Sequence, residues 1–349
     1  MVLNRDTTSI SYQELLGSNT LARGLAIGAV VMCHIPNAHA FWAPLWTFAS
    51  AGKLAVSIFL FSSGLLLQHQ VNRTGGRFHL STWLKKRFFR IYPLYWAGLA
   101  LTLYCAVVFQ HRIFDVKTIL SNVLGFPLFL HQRVISCGFT EPFWFISLLL
   151  LCYVIFVFTC RLRNKGFLVL FALALSFVAL CYTNIIEAAS LAFPSFFMGM
   201  WVTDWMKDRG QRPSDVRIHV ALFLPILGIL AFVYKRGGIF MDVRCDMFFD
   251  LAGCVCLTII TLPTLYIIAY AQKLLERNFP LLLRRILWVS ALSFAVYCVH
   301  EPLLLVLRVS TGAGHQWVGL LSYVFLTIFV AWMLNVWDKR LRHPRDFKP

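Results

Sequence analysis

The segment "RGLAIGAVVMCH" sets Arg23 and His34 at the two ends of ten apolar or small residues. A guanidinium is permanently charged and grips anions, whereas an imidazole near neutrality can take up a proton. Placing either within lipid costs on the order of 2.5–3.5 kcal/mol, so function or pairing must offset the insertion. On a helix, an eleven-residue step amounts to three turns plus about 20°, which leaves both side chains on one face about 16 Å apart. They cannot touch along that helix. Arg23 fits the mouth of something long and His34 a deeper station, so the two serve different parts of it. The structural alternative has Arg23 snorkelling to head groups and His34 bonding a neighbouring helix.

Four other segments carry chemistry-bearing groups. In "WLKKRFFRIYPLYW", 83–96, Arg87 and Arg90 are three apart on one helical face with Lys86 beside them. Forked guanidiniums suit phosphate, so this stretch reads as an interfacial basic helix that holds a phosphorylated ligand, with Pro93 opening the next span. The alternative is plain topogenic charge against lipid head groups. In "SIFLFSSGLLL", 57–67, Ser63 and Gly64 are small residues in an apolar run. They read as a place where helices approach, narrowing the gap beside the first helix, and no G-x-S-x-G elbow marks a serine nucleophile.

"SALSFAVYCVHEPLLL", 290–305, places His300 and Glu301 just ahead of Pro302. Adjacent helical residues diverge by about 100°, so at most one is expected to face a shared cleft squarely. His300 is the candidate lining group, or else a structural hydrogen-bonding histidine. In "TEPFWFISLLL", Glu141 and Trp144 open an apolar run, where the carboxylate either orients an acceptor or caps the helix.

These groups are positioned by a chain whose 349 residues are 59% hydrophobic and 13% charged, with mean hydropathy +0.72. That balance excludes an ordinary soluble core. A span needs about 20 largely apolar residues, and such runs recur near 21–40, 54–69, 91–110, 142–160, 166–183, 185–205, 218–234, 247–270, 286–307 and 317–337. The expected fold is an all-α, polytopic bundle of about ten transmembrane helices forming one domain over 1–349. Residues 1–20 and 338–349 are its hydrophilic ends. "VLGFPLFL", 123–130, is too short to cross and reads as re-entrant or interfacial.

The net charge of +17 is spread through short connections, which argues against nucleic acid and for topology. With Arg23 set aside, alternate connections hold twenty-three and eight of the 32 Lys and Arg residues, which places both termini in the cytoplasm. A cleaved signal ending at "AHA", 38–40, is the rival for the N-terminus, opposed by the long preceding region with Asp6 and Glu14. The ten cysteines lie mostly in apolar runs without zinc-like spacing, so no metal centre is expected.

Taken in order, "RGLAIGAVVMCH", "VSIFLFSSGLLL", "KKRFFRIYPLYW", "PFWFISLLLLCY" and "SFAVYCVHEPL" resemble the acyltransferase-3 family of integral membrane acyltransferases over nearly the whole chain. The resemblance implies that Arg23 and His34 match the family's essential first-span pair, and Arg87 and Arg90 its cytoplasmic R-x-x-R. Ser63 and Gly64 match its second-span Ser-Gly. Where many relatives carry Trp-Ser-Leu-x-x-Glu, this chain has Trp144, Phe145, Ile146, Ser147 and Leu148 without that glutamate.

The implied activity is transfer of an acyl group, acetyl from acetyl-CoA first among them, to a hydroxyl of a bacterial surface polysaccharide such as lipopolysaccharide O-antigen or capsule. It would take place at the inner membrane with His34 as base. Acyl-CoA would be a co-substrate and no cofactor would be tightly bound; the glycan and membrane lipids complete the expected partners. The readings from other classes are a proton-coupled transporter using His34, His300 and Glu301, and a glycan-export or scaffold protein.

Overall fold

The computed structural model describes residues 8–34, 52–76, 79–129, 143–182, 187–210, 212–236, 247–310 and 316–342. Apart from a two-residue strand pair, β1 (Ser9–Ile10) and β2 (Ser214–Asp215), and one 3-10 turn, their regular structure is α-helical. The helices are α1 (Tyr12–Gly17), α2 (Asn19–His34), α3 (Gly52–Arg73), α4 (Leu80–Gln110) and α5 (Val116–Leu124), followed by α6 (Trp144–Thr159), α7 (Lys165–Tyr182), α8 (Glu187–Asp208) and α9 (Val216–Arg236). The last four are α10 (Met247–Asn278), α11 (Pro280–Ala291), α12 (Ser293–Ser310) and α13 (Gln316–Arg342).

A helix lies under each of the ten expected apolar runs, the ninth being split at Leu292 into α11 and α12. Among the described residues, five helical stretches are long and apolar enough to cross a membrane, six if the split pair counts as one. Large apolar side chains such as Phe158, Leu170, Leu224, Leu321 and Phe325 are exposed. In water this would be an aggregation surface, whereas in a bilayer it is the lipid face. The protein is a multi-pass, all-helical membrane protein.

Contacts divide the chain into two units. The first comprises 1–30, 50–77 and 151–290, and the second 31–49, 78–150 and 291–349. The first is organised around α3 and α8, which run parallel. Lys53 and Glu187 pair at their N-terminal ends, and Gln68 and Asn72 donate to Asp204 near their C-terminal ends, at 3.2 and 2.8 Å. Between these ties the backbones nearly touch. A Cβ at Gly64 would lie 2.0 Å from the Phe196 carbonyl oxygen, and one at Gly199 would lie 2.2 Å from that of Phe61. Glycine is required on both helices.

This corrects one expectation. The small residues of the second apolar run admit α8, not the first helix, because the reciprocal partner glycine sits at position 199. Ser63 turns back on its own helix and donates to the Phe59 carbonyl at 2.9 Å. The ionic tie extends to Lys165, 3% exposed, which pairs with Asp204 and donates to the Leu162 carbonyl. A buried ammonium so held keeps its charge compensated.

The N-terminal segment is attached to the same unit. Ser11 and Glu14 form a capping box that starts α1, satisfying orphan backbone donors in both directions. Lys273 of α10 reaches Glu14 at 2.9 Å and the Ser9 carbonyl at 3.0 Å. Burial raises the Glu14 pKa, but hydrogen bonds from Ser11 and Lys273 outweigh it and hold the carboxyl below its usual value.

The second unit contains a second correction. The basic segment and the third apolar run are one unbroken helix, α4, with Pro93 in its interior instead of at the start of a span. Proline removes one ladder bond, and the chain compensates by packing. Tyr92, Tyr95 and Trp96, which share a helical face, donate to the Leu124, Asn122 and Val123 carbonyls at the end of α5. A helix end leaves its last carbonyls short of intrahelical donors, and of these three Asn122 O also takes the Gly125 N–H at 2.9 Å. The apolar piece that begins at Val123 accordingly closes α5 and continues as a 3-10 turn, Pro127–Phe129, whose Leu128 N–H donates to Ser147 at 3.1 Å. It does not span.

Two outcomes are expected. Gly199→Ala should destabilise the folded protein by about 1–3 kcal/mol or more, through the clash with the Phe61 carbonyl, read as a lower thermal midpoint in detergent. The Glu14 contribution should be fully present above the ordinary carboxylate pKa of about 4.3 and fade as pH falls through the lower folded value. Thermal scans of the wild type and Glu14→Gln should therefore converge at acidic pH, and a gap that widens there would refute the pairing.

Candidate active site

The site in the second unit is built on α12. Pro302 has no N–H to offer the Cys298 carbonyl one turn earlier. That same carbonyl is where α4 comes closest, since a Cβ at Gly98 would lie 2.4 Å from it. Glycine and proline together bring two backbones into contact and fix the turn that carries Tyr297, His300 and Glu301. The Tyr323 hydroxyl of α13 donates to the His300 carbonyl at 3.2 Å and ties the third helix in.

His300 is fully buried. Its Nδ1 lies 2.7 Å from the Tyr297 carbonyl, a group that can only accept, so Nδ1 carries the hydrogen. The neutral ring then holds its lone pair on Nε2, which is buried and has no hydrogen-bond partner among the described residues. Beneath it lies an aromatic layer. The Tyr297 ring meets Phe145 at 5.6 Å and Phe143 at 6.5 Å between centroids, and Phe143 meets Tyr95 at 5.2 Å.

His34, the last residue of α2 and half-buried, is brought to this turn. Its ring meets that of His300 edge-on, with centroids 5.2 Å apart, and its Nδ1 lies 3.3 Å from the Cys33 sulfur. Glu301, 5% exposed, joins them: one ligating atom from each of His34, His300 and Glu301 lies within 4.8 Å of the others. The expectation that only one of two adjacent residues could serve the site is thus corrected. Backbone direction separates them, but Glu301 has enough side-chain bonds to swing back toward the same point. The sequence reading joined these three groups only as a transporter's proton path.

The remaining candidates fall elsewhere. Arg23 lies half-buried on the same unbroken helix as His34 but in its first-unit portion, and Ser63 and Gly64 belong to the α3–α8 packing already described. Trp144 begins α6, half-buried, with its ring 6.3 Å from Phe145. Glu141 lies outside the described residues.

Arg87 is half-buried with its guanidinium 5.5 Å above the Trp83 ring, whereas Lys86 and Arg90 are exposed. The end of α13 adds a cation that sequence reasoning missed. Arg342 pairs with Asp338, and burial followed by the like charge of Arg90 lowers its pKa. By helical rise, Arg90 and Arg87 stand about 12 and 16 Å along α4 from Gly98.

Loss of the Tyr323 hydroxyl in Tyr323→Phe should cost about 0.5–1.5 kcal/mol. It should lower the thermal midpoint without changing the oligomeric profile on gel filtration.

Comparison with known proteins gives a match to one family model, described as an acyltransferase domain, over residues 19–336. No curated protein and no solved structure matches the chain.

Proposed function

Since the chain belongs to the acyltransferase-3 family, and is thereby a multi-pass membrane acyltransferase, we propose that it transfers acetyl from cytosolic acetyl-CoA to a hydroxyl of a surface polysaccharide. The acceptor class is O-antigen, capsule or exopolysaccharide, and the setting is the bacterial inner membrane. In this reading ten spans place both termini in the cytoplasm, as the Lys and Arg distribution favours. Family membership favours the enzyme over the transporter and export readings.

The observation that carries the proposal is the convergence of His34 with buried His300 and Glu301. As a sugar oxygen attacks the thioester carbon, His34 takes the hydroxyl proton. The C–O bond forms, the C–S bond breaks, and the sulfur leaves with a proton returned from the imidazolium, giving the ester and free CoA. Glu301 supplies negative charge beside the imidazolium while it exists. His300, with its lone pair on Nε2, can accept a hydrogen bond and so help orient a hydroxyl.

Arg87, Arg90 and Lys86 would hold the anionic end of CoA, the two forked guanidiniums making charge-assisted bonds to phosphate. Their offset along α4 from the Gly98 level matches a donor that is extended, with its charge at one end and its reactive carbon at the other. Arg23 serves as a further anion contact on the strength of the family pattern. The acceptor is set against Trp144, and Ser63 and Gly64 act through helix packing.

Purified protein given radiolabelled acetyl-CoA and a lipid-linked glycan should form labelled ester. His34→Ala should lower the rate by about 10²–10⁴-fold while eluting as the wild type does, and a folded, fully active His34→Ala protein would refute the base assignment. Replacing Arg87 and Arg90 by Ala should raise KM for acetyl-CoA about tenfold or more, the scale of one lost charged hydrogen bond, whereas an unchanged KM would remove them from the donor site.

A further inference from the structure

The three side chains at the centre of the site are also a donor set. Two imidazoles and one carboxylate are among the ligand combinations that zinc uses with a fourth position left open. Hard cations such as magnesium and calcium prefer oxygen throughout, which makes this set a poor site for them. Ligands about 2.0–2.1 Å from a tetrahedral metal stand about 3.3 Å from each other. The ligating atoms of His34, His300 and Glu301, within 4.8 Å of one another, need only small side-chain rotations to reach that spacing.

A second observation points the same way. A histidine that binds metal through one nitrogen commonly donates its other N–H to a backbone carbonyl, which fixes the tautomer and strengthens the free lone pair. His300 has this arrangement already: Nδ1 donates to the Tyr297 carbonyl at 2.7 Å, and Nε2 is buried without a hydrogen-bond partner among the described residues. A buried imidazole lone pair has lost its water, and no hydrogen bond among the described residues replaces it. A metal ion would satisfy it, and the carboxylate of Glu301 would offset part of the ion's charge.

We propose that His34, His300 and Glu301 form a binding site for a divalent transition metal of the zinc type, and that occupancy of this site switches acyl transfer off. The inhibitory half rests on the assignment of His34 as base: a lone pair given to the metal is not available to a hydroxyl proton. Among divalent ions the nitrogen-rich set favours copper and zinc over manganese.

The test uses the full-length protein in detergent, stripped with a chelator and titrated with zinc ion alone. Metal retained after gel filtration, measured by mass spectrometry, should reach one zinc per chain, and His300→Ala and Glu301→Gln should each weaken retention about tenfold or more. Copper loaded into the unaltered protein should show nitrogen couplings from two imidazoles in its electron paramagnetic resonance spectrum, a readout that needs no variant to fold. Zinc at saturation should abolish label transfer, and chelator should restore it.

Absence of stoichiometric zinc, retention that both variants keep, or copper without imidazole coupling would overturn the site. Stoichiometric zinc that leaves transfer unchanged or faster would overturn the inhibition alone. Failure of the base assignment is read separately, from the metal-free activity of His34→Ala.

Discussion

The crossing of α4 and α12 rests on a carbonyl that lacks its usual helical donor, Cys298 O, four residues before Pro302. Pro302 offers no N–H to Cys298 O, and a membrane interior offers no water in its place. The chain responds with a glycine at position 98, so that α4 can lie against that oxygen. The crossing supports the turn bearing His300 and Glu301; the rings of Tyr297, Phe143 and Tyr95 pack beside that turn, and the His34 ring meets His300. A larger side chain at Gly98 would push α4 off the proline turn, and the site would lose the support behind its deepest histidine.

The same economy of polar groups recurs around α5. Its last carbonyls would be costly if left bare within apolar surroundings, and they take three donors from Tyr92, Tyr95 and Trp96. Those aromatics lie within the segment whose arginines are assigned to the donor end of the site. Lys86, Arg87 and Arg90 project from the same continuous helix within three turns upstream, so α4 joins a basic surface to the crossing that supports the His300 turn.

What the sequence made legible was local. Hydropathy located a helix under every expected run, and the motif order identified the family. Arg23 and His34 do share one helix, because an eleven-residue periodicity argument needs nothing beyond the chain between them. Side-chain reach and pairings across long separations were not legible. Backbone direction separates Glu301 from a cleft that His300 lines, although a glutamate can bend back, so the sequence joined it to the two histidines only as a proton path. The partner of Gly64 lies more than a hundred residues away, and Lys165 meets Asp204 only when three helices pack. Pro93 was taken as a boundary because proline disfavours helix interiors in water, a rule that packing overrides within a membrane bundle.

The parallel pair α3 and α8 is tied at both ends and pinched at its middle. A helix slides past its neighbour by trading one register of contacts for the next, and each residue of slip is about 1.5 Å. Here such a slip would part Lys53 from Glu187 and Asp204 from Gln68 and Asn72 together, while driving a side chain into the space reserved for Gly64 or Gly199. The pair therefore has no sliding degree of freedom. Any rearrangement of the first unit during a reaction cycle must carry α3 and α8 as one body, pivoting about them or moving helices around them.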